Sequence, residues 1–134
     1  MNLDQLRAAT AYDHIQEVLQ CTEPDKKRYG TLALKLPILV RTAGLCQALH
    51  FIQARGKSDP KTSEVRLLGH IATQLKRIDP VIQDAGSLCR RVRGANMKTY
   101  LHLTREATST LQWYARLTRS ILKIERTDEA EGEL

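Results

Sequence analysis

The sequence predicts an all-α fold, a compact bundle of about five to six helices that ends in a long amphipathic C-terminal helix. Three observations predict it. Seven glycines and four prolines in 134 residues are few chain breakers, and aromatic residues make up only 4%, which argues against a disordered chain, collagen and a β-sandwich alike. Apolar residues recur at i, i+3, i+4 and i+7 over residues 3–20. From about Met97 to Arg126, apolar and basic residues separate onto opposite sides of one helical wheel. With 42% hydrophobic and 27% charged residues, a chain of this length forms one domain, residues 1–126, whose core needs neither a disulfide framework nor a structural metal.

Along the first helix, Ala8, Ala11, Tyr12, Ile15, Val18 and Leu19 form the apolar face, and Asn2 with Gln5 has capping-box spacing. The polar stretch TEPDKKRYG, with Pro24, reads as the connection to a second helix starting near Lys26. Between Leu32 and Val40 only Lys35 is polar, as expected for the helix at the centre of the bundle. Pro37 inside it predicts a kink near Ala33 to Pro37 or a break. Gly44 ends that helix. A short third helix carries Leu45, Ala48, Leu49, Phe51 and Ile52 and stops at Gly56. Asp59 and Pro60 fit N-cap and N1 of a fourth helix bearing Val65, Leu68, Ala72 and Leu75. Asp79 and Pro80 repeat that signature ahead of a short fifth helix, interrupted at Gly86 and Ser87 before Leu88 to Val92.

The last helix turns Tyr100, Leu103, Ala107, Leu111, Tyr114, Leu117 and Ile121 one way. Lys98, Arg105, Arg116, Arg119, Lys123 and Arg126 point the other way, all within roughly 60° of Arg105 at about 100° per residue. No acid interrupts that stripe, so a phosphate backbone or an acidic protein surface competes with plain solvation as its reading. Trp113 lies on the flank and reads as a core anchor before it reads as a base-stacking ring. Charge is polarised along the chain: residues 1–124 carry 20 Lys and Arg against 10 Asp and Glu, and residues 125–134 carry 1 against 5. The acidic end, residues 127–134, reads as a solvated tail that screens the basic face until nucleic acid displaces it.

Catalytic signatures are missing. No HExxH, GxGxxG, GxxxxGK[ST] or GxSxG occurs, and His14, His50, His70 and His102 are scattered, so each reads as a surface or boundary residue. Cys21, Cys46 and Cys89 are odd in number and far apart, which suggests neither disulfides nor zinc and fits a reducing cytoplasm. A cationic setting near Cys46 and Cys89 could favour a thiolate, yet no partner histidine is identifiable, so both read as small core or boundary residues. The longest apolar-rich run has nine residues, Leu32 to Val40, against about 20 for a membrane span. No cofactor is indicated.

Two stretches carry a family resemblance: YGTLALKLPILVRTAGLCQALHFIQARGK at Tyr29 to Lys57, and YLHLTREATSTLQWYARL at Tyr100 to Leu117. They resemble the small helical subunit of the Cmr complex, the type III-B CRISPR RNA-guided effector. The first is similar in its leucine-rich helix with an LP step, followed by GL and a helix closing before a basic turn; the second is similar in its Y..LTREA…L.W pattern. Beyond about Ile121 the chain departs from the family pattern. The resemblance implies a non-catalytic subunit in a few copies stacked head to tail, forming an inner filament beside the backbone subunits that hold the guide RNA. It implies as partners the backbone subunit, the large subunit, further copies of the chain itself and the guide–target RNA duplex, with target cleavage and cyclic-oligoadenylate synthesis assigned to the other subunits. Base pairing then reads sequence, and the protein supplies backbone contacts. The basic positions of the matching stretches, Lys35, Arg41, Arg55, Lys57 and Arg105, become candidates for nucleic-acid or subunit contact. Arg105 has a structural reading too, since its neighbour Glu106 could join a salt bridge within the bundle, and Lys35 could merely snorkel from a buried helix. Arg116, Arg119 and Lys123 join them from the helical wheel alone, and Arg90, Arg91 and Arg93 as a dense local cluster. A free-standing helical nucleic-acid-binding protein is the alternative from the residues themselves.

Overall fold

The chain is helical over most of its length in the structure, a computed structural model that describes residues 1–125. Six α-helices are present among these residues, α1 (Leu3–Leu19), α2 (Glu23–Ala43), α3 (Leu45–Arg55), α4 (Ser63–Leu75), α5 (Ala85–Gly94) and α6 (Met97–Leu117), followed by a π-helical turn at Thr118–Leu122. No strand occurs among them. The acidic tail lies outside the described residues.

The N-terminal end of α1 is the expected capping box: Gln5 N–H donates to Asn2 Oδ1 at 2.8 Å and Asn2 N–H to Gln5 Oε1 at 2.9 Å. Three other boundaries differ from the expectation, and each for a capping reason. The second helix starts at Glu23, not near Lys26, because Thr22 accepts the Asp25 N–H and Pro24 sits in the first turn, where its missing N–H costs nothing. Asp59 and Pro60 form a turn, with Lys61 N–H donating to Asp59 Oδ1; Thr62 is the cap of α4, accepting from Val65 N–H at 3.2 Å. Asp79 and Pro80 likewise form a turn, and Asp84 opens α5. Gly86 and Ser87 are the first turn of that helix rather than an interruption: Ser87 N–H donates to Asp84 Oδ1 at 2.8 Å, and Asp84 N–H returns a bond to Ser87 Oγ. These bonds hold the Asp84 carboxyl below the usual carboxylate range.

The central helix is α2, as its composition requires. Tyr29, Leu32, Ala33 and Leu36 are fully buried, and Leu34 and Val40 nearly so. The helix runs through Pro37 without a break, because packing on Leu36 and Val40 outweighs the one hydrogen bond the ring removes. Gly44 turns the chain from α2 to α3 at φ +90°, a conformation that favours glycine. Tyr100 of α6 closes the junction: its hydroxyl accepts Cys46 N–H at 3.0 Å, supplying the acceptor that α3 lacks at its own start.

The last helix packs along α1 and α2 on the face formed by Leu103, Ala107, Leu111 and Tyr114. It does not continue as an α-helix to Arg126. After Leu117 one wider π turn follows, Lys123 takes up a left-handed conformation at φ 61°, and the chain folds back so that Leu122 and Ile124 are buried. Gly30 leaves room for this, since a Cβ there would lie 2.5 Å from Ile124 Cδ1 and 3.1 Å from Thr118 Cγ2, and both side chains would have to shift. Glycine at this position is a matter of space, and the YG of the first matching stretch has that physical content.

Candidate nucleic-acid and subunit interface

The candidate cations separate according to what they touch. Arg41, Lys57, Arg90, Arg93, Arg105, Arg119 and Lys123 are exposed and form no ion pair among the described residues. Arg91 differs from its two neighbours: Nε donates to Asp79 Oδ2 at 2.7 Å, tying α5 to the turn after α4. The dense cluster is therefore two outward arginines and one architectural arginine. Arg116 lies over the Trp113 ring at 5.3 Å, and Arg55 over Phe51 at 5.8 Å. Lys35 is half-buried on α2. Lys57 is held outward at φ 53° just past α3.

In α6 the stripe is straight from Lys98 to Arg116. The π turn adds a residue to the next turn, so the spacing that aligned Lys123 with Arg105 is lost, and Lys123 instead terminates the helix. Arg126 lies outside the described residues.

The two resembling stretches meet in a groove of about 330 Å³ between α2 and α6, lined by Pro37, Val40, Arg41, Thr104, Thr108, Leu111 and Gln112. Arg105 follows Thr104 on the exposed side of α6. Its neighbour Glu106 points the opposite way and is only 4% exposed. Glu106 does not pair with Arg105. It receives two bonds from Arg7 of α1, Nε to Oε2 at 2.8 Å and Nη2 to Oε1 at 2.7 Å, a bidentate pair between the first and last helices. Trp113 Nε1 donates to Asp4 Oδ1 at 3.1 Å, and with the Arg7 and Arg116 charges this holds the Asp4 carboxyl below the usual range. Trp113 is thus an anchor of α1. A second interior pair, Arg28 with the buried Glu64, joins α2 to α4. That Arg7 and Arg28 are the partners had no signal in the sequence, because they lie 99 and 36 residues from their carboxylates.

One expectation about reactive side chains is corrected and one is not. Cys89 is buried, as expected of a small core residue, and burial pushes its thiol up to about 11, outweighing the nearby Arg93. The histidines are not all isolated at the surface: His14 of α1 and His70 of α4 stack with ring centroids 3.9 Å apart, His70 is buried, and Glu17 lies beside them. Helix packing brings His70 to His14 and Glu17, which already share a face of α1 at i, i+3.

Residues 3–121 match the family model described as CRISPR-associated protein (Cas_Cmr5). The chain belongs to the Cmr5 family. It is similar to the CRISPR system Cmr subunit Cmr5 of Thermus thermophilus, with 34% identity over 119 residues, covering 89% of this chain and 95% of that one. The X-ray crystal structure of a Cmr5 family protein from the same organism superposes with a TM-score of 0.77 at 31% identity, covering 91% of this chain and 98% of the other. The resemblance read from the two stretches is borne out, and so is the all-α fold. The Cmr5 match ends at the point where the π turn bends the chain away from the α6 axis, close to where the sequence departs from the family pattern.

Among the described residues no helix is long and apolar enough to cross a membrane.

Proposed function

We propose that the protein is a non-catalytic structural subunit of a type III-B CRISPR RNA-guided effector in the cytoplasm. It stacks as an inner filament, bridges the backbone and large subunits, and offers a basic surface to target RNA. The observation that carries this reading is the division of labour inside LTREA: Glu106 is committed to Arg7, and Arg105 next to it is exposed and unpaired among the described residues. Arg41 at the groove, Lys57, Arg90, Arg93 and Arg119 are exposed in the same way. Such cations attract a polyanion without reading its sequence, which base pairing already does. The identity to a protein named as a Cmr subunit supports assembly with other Cmr subunits.

Reconstitution of the effector with and without this protein, followed by native mass and target-RNA retention, tests the proposal. Omission is expected to shorten or empty the complex and to weaken retention, since avidity along an RNA depends on linked copies. Unchanged mass and retention would overturn it and favour a free-standing nucleic-acid-binding protein, for which the isolated chain should show a steep salt dependence.

A further inference from the structure

The stacked histidines occupy the seam where α1 lies on α4 and α6, and the hydrogen bonds around them fix where their protons are. Gln74 of α4 sets the direction. Its Oε1 accepts from Arg77 Nη1 at 3.0 Å, and its Nε2 donates to the Arg7 carbonyl at 3.1 Å, so the amide has one permitted orientation. Nε2 therefore also donates to the Tyr114 hydroxyl, at 3.1 Å. Tyr114 has no other acceptor for its own proton among the described residues, so that proton goes to His14 Nδ1, 2.7 Å away. Tyr29 is fully buried and its hydroxyl lies 2.7 Å from His70 Nδ1, so its proton too goes to an imidazole nitrogen. Both rings are then neutral acceptors at Nδ1 and carry their hydrogen at Nε2.

A second proton on either ring would have to sit on Nδ1, between the nitrogen and a tyrosine O–H already aimed at it. The tyrosine bond would have to reverse, leaving a buried O–H without an acceptor, and two stacked rings could hold like charge at 3.9 Å. The surrounding charges are those of Asp13 and Glu17 on α1, Arg66 on α4 and Arg77 just after it, with Tyr29 from α2 and Tyr114 from α6 as the other titratable groups. Glu17 reaches His70 Nε2 only at 3.9 Å and is exposed, too weak a counterion to hold a buried imidazolium. Burial accordingly lowers both imidazoles, His70 to about 3.

His14, Glu17 and His70 also place ligand atoms within 4.8 Å of one another, as a metal site would. The ring planes differ by only 10°, so their in-plane lone pairs run parallel and do not converge on one ion, and both Nε2 atoms carry hydrogen. Proton uptake is the chemistry this geometry supports.

We propose that the His14–His70 stack is an acid-sensitive latch that fastens α1 to the bundle while both rings are neutral and releases it when they gain protons. α1 is the element suited to release, since it fully buries only Ala11, Ile15 and Val18. Asparagine places an amide oxygen near the position of Nδ1 and does not titrate, so His14→Asn/His70→Asn keeps the acceptors and removes the switch.

Amide hydrogen exchange of the full chain, corrected for intrinsic rates, is compared at pH 7 and pH 5. Protection over α1 is expected to fall in the wild type by about 25-fold for each imidazole that regains its ordinary pKa when α1 opens. Protection over α3 should hold, and the double variant should lose little anywhere. Equal loss in the variant, or none in the wild type, would overturn the latch. If the variant fails to fold, imidazole ¹⁵N spectra of the wild type decide: Nε2–H rings titrating below pH 6 are expected, and Nδ1–H rings or midpoints at 6.5 and above would overturn it. So would a Zn²⁺-dependent rise in α1 protection at pH 7.

Discussion

The first and second helices meet the same core by different means. α2 is held by apolar burial over most of its circumference, with Tyr29, Leu32, Ala33 and Leu36 fully removed from water. α1 fully buries three side chains and is otherwise tied by directed polar bonds: Arg7 to Glu106, Asp4 to Trp113, the Arg7 carbonyl to Gln74 and His14 to Tyr114. Burial is non-directional and insensitive to pH, whereas the polar ties depend on geometry and on charge. The centre of the molecule is therefore robust, and the seam between its first and last helices is conditional.

The contrast predicts a ranked set of effects on stability. Leu36→Ala in α2 is expected to cost about 3 kcal/mol by chemical denaturation, transfer and cavity terms combined. Glu106→Ala should cost somewhat less, about 2 kcal/mol, because it leaves Arg7 with only the exposed Asp4 carboxylate as counterion. The two differ in how they can be repaired. Replacing both partners, Arg7→Met with Glu106→Leu, should restore most of the stability, and failure to do so would show that the pair has value beyond mutual neutralisation.

A pH series separates the seam from the centre at a similar magnitude. His70 has a folded pKa of about 3 against an ordinary value of 6.5. Between these values the unfolded chain binds a proton that the folded chain does not, so stability rises with pH and falls as pH drops below 6.5. At pH 5 the loss from this group is about 2 kcal/mol, and His70→Asn should flatten that part of the profile. Tyr100→Phe removes the acceptor for Cys46 N–H at the α2–α3 junction and should cost about 1 kcal/mol.

Legibility in the sequence followed the same divide. Periodicity located every helix of the core and the buried face of α6, because apolar spacing is local. The starts of α2, α4 and α5 differ from the expectation because each stretch offers more than one cap: Asp59 with Pro60 and Asp79 with Pro80 carry the N-cap signature, Pro24 reads as connection, and hydrogen bonding to the next turn selects Thr62, Asp84 and Thr22 instead. Arg7 with Glu106 and His14 with His70 had no sequence signal, since residues far apart in the chain meet only through packing. The end of α6 escaped the helical wheel because a wheel assumes constant pitch, and the π turn with Ile124 over Gly30 depends on a glycine nearly a hundred residues earlier. The family pattern itself proves mostly architectural: Tyr100 closes α3, Leu103 and Ala107 fill the core, Glu106 and Trp113 hold α1, and Arg105 remains outward.

That residue allows the most direct test, by exchanging the charge of one neighbour at a time in the reconstituted effector. Arg105→Glu is expected to change the stability of the isolated chain by less than about 0.5 kcal/mol, and to weaken target-RNA retention or filament assembly. Glu106→Gln should lower the stability of the chain and leave retention intact wherever the chain remains folded. The opposite pattern, Arg105→Glu assembling and retaining RNA as the wild type does, would contradict a basic interface on this face of α6.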